Sequence, residues 1–184
     1  MKRLHFFLNF LKDRQIGAIF PSSRFVHTRV LSKIKTETIK TVIEYGPGNG
    51  VLTKTLLKKL PKNARFIVIE TNKKFCEELK KINDSRLEVI HGDAKKVDIY
   101  LKKLKIKEVD LILSSIPLSF FNEQEIKSLL KKTKQVLTQG GKFIIYNQYS
   151  SKAGSYLKGF FNNLKSQMEL RNIPPAFIFE MTQE

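Results

Sequence analysis

Glu44-Tyr-Gly46-Pro47-Gly48-Asn-Gly50 joins a carboxylate to three glycines at alternate positions. Glycine accepts positive φ and leaves the backbone bare, so such a loop can bring its N–H groups against a ligand. The β-branched lead-in Thr41-Val42-Ile43 reads as a buried strand, and Leu52, Leu56, Leu57 and Leu60 follow with helical spacing. Strand, glycine turn and helix make a nucleotide cradle, because the helix start directs unpaired N–H groups and partial positive charge into the same space. The spacing G-x-G-x-G departs from the dinucleotide pattern G-x-G-x-x-G, and the chain has no Gly-Lys-Ser/Thr after it, which excludes a P-loop. The next apolar run, Phe66-Ile-Val-Ile69, ends at Glu70, 20 residues beyond Gly50, where an open α/β sheet places a ribose-binding carboxylate.

Glu44-x-Gly46-x-Gly48-x-Gly50 resembles motif I of the class I S-adenosylmethionine (SAM) methyltransferases. The resemblance implies that the loop, Pro47 included, holds the methionine part of SAM, and that Glu70, followed by Thr71, holds the ribose hydroxyls. A third strand, Arg86-Leu-Glu-Val-Ile90, leads into His91-Gly92-Asp93-Ala94, similar to a Gly-Asp-Ala motif of that family whose Asp accepts from the adenine amino group. A carboxylate suits an exocyclic amine donor, whereas His91 reads as a strand-end residue. Ala94 and Ser114 complete the implied cofactor set, with S-adenosylhomocysteine as the product. The implied fold is a Rossmann-like α/β sheet of seven mostly parallel strands with an antiparallel last strand, helices on both faces and an extra N-terminal amphipathic helix.

The acceptor end is read from strands four and five. Asp110-Leu-Ile-Leu113 is apolar and central, and Ser114-Ser115-Ile116-Pro117-Leu118 follows it at the edge where such folds carry out transfer. Nucleic-acid adenine methyltransferases carry Asn-(Ile/Leu)-Pro-(Tyr/Phe) or Asp-Pro-Pro-Tyr there, and the aromatic ring stacks on a flipped base. Ser115 and Leu118 replace the amide and the ring. Ser-x-x-Pro-Leu at 114–118, Phe10-Leu-Lys-Asp13 with Ile16-Gly-Ala-Ile-x-Pro21-Ser-Ser-Arg24, and Asn172-Ile-Pro-Pro-Ala176 resemble bacterial phospholipid N-methyltransferases. That resemblance implies methylation of phosphatidylethanolamine towards phosphatidylcholine. Tyr149, Tyr146, Ser115 and Gln148 are then the groups to hold or deprotonate the amine. Tyr149 comes first, because a phenol can take a proton and its ring face attracts a methylated cation. An RNA adenine N6-methyltransferase is the rival, since the stretch from Glu44 to Thr53 fits that family nearly as well; a non-catalytic SAM- or membrane-binding module is the further one.

Helices and strands of ordinary length place these groups. Over residues 2–15, Leu4, Phe6, Phe7, Leu8, Phe10 and Leu11 cover a broad apolar arc flanked by basic residues, the pattern of an interfacial membrane helix or of a lid on the pocket. Residues 1–36 are read as that lid or membrane-contact segment within one domain, 1–184. Ser22 or Ser23 caps a helix from Arg24 to Lys35. Further helices are expected over Asn72–Ile82, over Asn122–Leu137 with a stop at Gly140-Gly141, and over Ala153–Ser166; Met168–Ile173 and Ala176–Thr182 form a closing antiparallel pair. The net charge of +17, from 34 basic and 17 acidic residues, favours anionic partners, although the 27 lysines are spread along the chain as composition bias alone would also spread them. No 18-residue apolar run is present to span a membrane, and the N-terminus lacks the pattern of a signal peptide. One cysteine, Cys76, makes neither an internal disulfide nor a zinc cluster and reads as a half-buried packing residue. The expectation is a metal-free cytoplasmic enzyme peripheral to the inner face of the cell membrane. Its expected partners are a phospholipid substrate and an anionic membrane surface, with no stable nucleic-acid partner.

Overall fold

The computed structural model describes residues 22–184. The helix expected over 2–15 lies outside them. Helix α1 (Arg24–Leu31) is capped by Ser23, whose hydroxyl accepts from Val26 N. Then come β1 (Thr41–Tyr45), α2 (Val51–Leu57), β2 (Arg65–Glu70), α3 (Lys73–Lys80), β3 (Leu87–His91), α4 (Val97–Lys103), β4 (Val109–Ser114), α5 (Glu123–Val136), β5 (Leu137–Gln148), α6 (Lys152–Lys158), β6 (Lys165–Glu169) and β7 (Ala176–Thr182). The seven strands lie in the order β3-β2-β1-β4-β5-β7-β6, parallel up to β5, with β7 antiparallel to both of its neighbours. This is the sheet expected of the class I methyltransferase fold.

Alternation along the strands sorts two cores. Ile43, Tyr45, Ile67, Ile112, Phe143 and Ile145 pack with α4, α5 and α6 on one face. Val42, Phe66, Val68, Leu111, Leu113 and Ile144 pack with α1, α2 and α3 on the other. Strands buried on both faces read as continuous apolar runs, which is why β1, β2 and β4 are legible in the sequence. The register sets Tyr45 beside Ile69 and Ser114, Glu70 beside His91, and Ser114 beside Ile145. All five parallel strands therefore end along one edge.

Several element boundaries differ from expectation. Helix α1 ends at Leu31, short of the expected Lys35, and β6 covers Lys165–Glu169 where a strand over Met168–Ile173 is expected. α5 begins with a capping box between Asn122 and Glu125, as its sequence predicts, but it ends at Val136 and passes straight into β5 at Leu137. Gly140 and Gly141 lie inside the strand: Gly140 N donates to Gln183 O (2.7 Å) and Gln183 N to Gly141 O (2.8 Å). The glycines are needed there because Gly140 has φ +76°, and a Cβ on Gly141 would come within 2.8 Å of Thr138 O. The helix expected through Ser166 ends at Lys158. Phe161 is buried in the core beyond it, and Lys165–Glu169 pairs with β7 instead. Strand pairing there overrides a helical apolar period. Cys76 is more buried than half, at 2% exposure, with its thiol donating to Glu70 O at 3.4 Å.

Candidate active site

The glycine loop is built as its sequence demands. Gly46, Gly48 and Gly50 have φ of +65°, +57° and +74°. Their surroundings differ. A Cβ on Gly46 would meet Ile116 Cγ1 at 2.8 Å and one on Gly50 would meet Leu79 Cδ2 at 2.6 Å, whereas one on Gly48 would meet nothing within 4 Å. Gly46 and Gly50 are therefore packing positions, and Gly48 faces the open side of the loop, next to Pro47.

Glu70 spans the loop and the end of β2. One carboxylate oxygen accepts from Gly48 N (3.1 Å) and the other from Asn72 N (2.8 Å), and the residue is 7% exposed. Thr71 Oγ1 also donates to the oxygen that takes Asn72 N, at 3.5 Å. A carboxylate has about four acceptor sites, so the oxygen facing Gly48 keeps capacity for a ribose hydroxyl. Beside it, Thr71 is exposed and its carbonyl contacts His91 Nε2 at 2.9 Å. Asp93 sits at the end of β3 as the cap of a short turn of helix over Ala94–Lys96. Its Oδ1 accepts from Lys95 N (2.9 Å), its Oδ2 lies 3.5 Å from Lys95 Nζ, and Ala94 behind it is buried. Open backbone at Gly48, a Glu70 carboxylate with acceptor capacity left on one oxygen and an edge carboxylate at Asp93 fit the methionine, ribose and adenine parts of SAM.

Glu44 is placed otherwise than a direct ligand would be. It is fully buried on the α1–α3 face, where Thr53 Oγ1 donates to one oxygen (2.6 Å) and Tyr146 Oη to the other (3.3 Å). Burial raises its pKa to about 7 against the lowering effect of those two hydrogen bonds. Thr53, one turn into α2, was not singled out in the sequence; a hydroxyl nine residues after a strand carboxylate was the available sign.

The acceptor-side residues divide. Ser114 is buried, and its hydroxyl accepts from Ile116 N. Ser115 Oγ donates to Gly46 O, tying the end of β4 to the glycine loop. Tyr146, expected to hold or deprotonate the amine, is 2% exposed beneath the site and holds Glu44 instead. Gln148 is also committed to structure: its Oε1 accepts from Leu118 N (2.9 Å) and its Nε2 donates to Ile116 O (3.0 Å), fixing the Ser115–Leu118 loop. Tyr149 stands at the edge, where burial pushes its phenol above the ordinary value; at neutral pH it is a neutral hydroxyl and not a phenolate base. Asn147, which the sequence reading passed over, adopts φ +58° and donates from Nδ2 to Ser22 Oγ (2.5 Å). Among the described residues its Oδ1 is buried without a hydrogen-bond partner. Asn tolerates left-handed backbone, but nothing in the sequence marks this one as doing so.

A model of the ribosomal RNA adenine dimethylase family matches residues 9–147. An ornithine lipid N-methyltransferase of Singulisphaera acidiphila is 27% identical over 180 residues, 96% of this chain and 94% of that protein. Ribosomal RNA small subunit methyltransferase A of Mycoplasma capricolum is 32% identical over 116 residues, 61% of this chain but only 42% of that protein. Among solved structures, the N-methyltransferase NodS of Bradyrhizobium japonicum superposes with a TM-score of 0.68 at 13% identity, over 85% of this chain and 93% of that one.

The glycine geometry predicts that two Gly→Ala variants separate binding from packing. Both carry the ~1–2 kcal/mol strain of a left-handed side chain, but only Gly50→Ala also drives a methyl into Leu79. Urea unfolding should show Gly50→Ala clearly the less stable. Calorimetry should show folded Gly48→Ala losing at least about tenfold in SAM affinity, and unchanged affinity would remove Gly48 from the site.

Glu44 predicts a pH dependence. Its pKa is raised in the fold from an ordinary 4.5 to about 7, so its contribution to stability is fully present below 4.5 and is lost as pH rises through about 7. The loss amounts to roughly 3 kcal/mol at most. Glu44→Gln should flatten the decline in unfolding free energy between pH 5 and 8. Parallel declines in both proteins would mean that another group titrates.

Proposed function

Because the chain belongs to the ribosomal RNA adenine dimethylase family and is a SAM-dependent methyltransferase, we propose that it methylates the amine of a membrane lipid. The observation that carries this reading is the Ser115–Leu118 loop. Leu118 is 2% exposed and aliphatic, so the position that would stack a flipped base offers no ring. Ser115 spends its hydroxyl on Gly46 O, where an adenine enzyme presents an amide. The relative that matches along nearly its whole length supports the same reading. It also turns the expected headgroup from phosphatidylethanolamine towards an ornithine lipid.

SAM, when bound, supplies a methyl activated by its sulfonium. The chain then has three tasks. Gly48, Glu70 and Asp93 hold the cofactor at the ends of β1 to β3. Gln148 and Ser115 fix the loop after β4, so that the acceptor meets a rigid edge. The amine reaches that edge beside Tyr149 and Asn147, whose Oδ1 has no hydrogen-bond partner among the described residues and suits an amine N–H. An ammonium has no lone pair, and amine pKa values lie near 10, so the neutral amine is the reactive form and turnover should rise with pH across the neutral range. Among the described residues no helix is long and apolar enough to cross a membrane, so the lipid would be met at the bilayer surface.

The rival acceptor is an adenine of RNA, favoured by the family match over residues 9–147 and by the net charge of +17. Incubation with methyl-labelled SAM decides between them. Label should enter vesicles containing an ornithine lipid or phosphatidylethanolamine, and ribosomal RNA should stay unlabelled. Labelled adenine with unlabelled lipid would transfer the assignment to RNA. Tyr149→Phe should lower turnover about tenfold, the equivalent of one hydrogen bond, and leave SAM affinity unchanged. Equal losses in both would place Tyr149 on the cofactor side.

A further inference from the structure

The turn between β6 and β7 breaks the ordinary surface pattern. Among the described residues, five large apolar side chains are exposed, and three of them, Met168 (45%), Leu170 (67%) and Ile173 (88%), fall in this one stretch. Single exposed apolar residues are unremarkable on a protein surface, but a cluster rimmed by charge marks an interaction site. The rim here is cationic. Arg171 lies 4.2 Å from the centroid of the Phe25 ring and Arg24 lies 4.9 Å from it. Glu169, 1% exposed, anchors Arg171 through Nε (2.8 Å) and Nη2 (3.0 Å) and also takes Arg29 Nε (2.7 Å). The Arg171 and Arg29 hydrogen bonds hold the Glu169 carboxyl down to about 2, so the anchor stays ionised at any physiological pH.

The position of the turn links it to the transfer edge. Glu169 pairs with Ala176, and the next residue of β7, Phe177, pairs with Gln148 at the end of β5. Asn172 Oδ1 accepts from Ser23 N (3.1 Å), and Ser22 Oγ accepts from Asn147 (2.5 Å). The turn, the start of α1 and the end of β5 thus form one hydrogen-bonded rim.

We propose that this rim is a membrane-docking lip: Leu170 and Ile173 enter the acyl region of an anionic bilayer while Arg24 and Arg171 meet lipid phosphates. Aliphatic tips among arginines match the layered chemistry of a bilayer surface, apolar below and anionic above. An RNA backbone would leave Leu170 and Ile173 without an apolar partner. Docking by this rim would set the amine of a membrane lipid at the end of β5. The inference rests on the lipid reading above, but it can be read out without turnover.

The chain has no tryptophan, so Ile173→Trp introduces a single indole reporter in the 184-residue chain. With phosphatidylglycerol–phosphatidylethanolamine vesicles, its emission should shift to the blue and be quenched by brominated acyl chains. Lys62→Trp, just before β2, the strand beside the far edge strand β3, should show neither change. An unquenched Ile173→Trp, whether or not the protein sediments with the vesicles, overturns the proposal. So does an emission shift produced by RNA but not by vesicles. Leu170→Ser with Ile173→Ser should weaken vesicle binding about tenfold without lowering the melting temperature; unchanged binding would also overturn the lip. Quenching without any lipid methylation would keep the lip and refute the lipid as acceptor, whereas lipid methylation without quenching would do the reverse.

Discussion

A carboxyl group with no exposure to water organises the centre of this protein. Glu44 lies under the glycine loop, and its two oxygens bind Thr53 on α2 and Tyr146 on β5. Isolated, a buried carboxylate would be costly, and the two hydroxyl donors are what make the position tenable. In return the group fixes three elements at the point where β1 gives way to the loop. Burial raises the phenol of Tyr146 well above its ordinary value, and the neighbouring Glu44 raises it further, which keeps it a donor to Glu44 under all working conditions. The loop above is thus set from beneath by Glu44, from β2 by Glu70 and from β4 by Ser115.

The sheet and the glycine loop were legible in the sequence because their signals are local. Val42-Ile43, Phe66–Ile69 and Leu111–Leu113 are apolar runs of strand length, and the three glycines announce the backbone they adopt. The acceptor half was less legible because its roles depend on which way a side chain faces. Tyr146 and Tyr149 are three residues apart in similar company, yet one is sealed in the core and the other reaches the edge. Strand alternation places Tyr146 on the same face as Glu44, but only the register of β5 with β4 shows that the two can meet. Gln148 looks equally suited to bind substrate, and only its two loop contacts reveal that its amide is occupied. The helix expected through Ser166 failed for a related reason: Phe160, Phe161 and Leu164 are spaced for a helix but face the core from a turn.

The two kinds of relative divide along the chain. The family match ends at residue 147, at the close of β5, and covers the glycine loop, Glu70 and Asp93. The lipid-methylating relative continues through the last two strands, where the exposed Leu170, Ile173 and Arg171 lie. Shared cofactor chemistry and divergent acceptor chemistry are what a fold with its site grafted on one edge permits. The half of the sheet built from β5, β7 and β6 is where acceptor choice would be written.

The strand order also imposes a sequence of events on folding. β7 lies between β5 and β6, although β6 precedes it in the chain. While the chain is being made, β1 to β5 can pair as they emerge, each on a strand already present or soon to follow. β6 has no place in the sheet until β7 has been synthesised and inserted, a non-local pairing that is intrinsically late. The glycine loop and its carboxylates can therefore pair into the sheet before the β6–β7 turn exists. Order along the chain becomes order in the sheet's closure, with the β6–β7 turn set in place last.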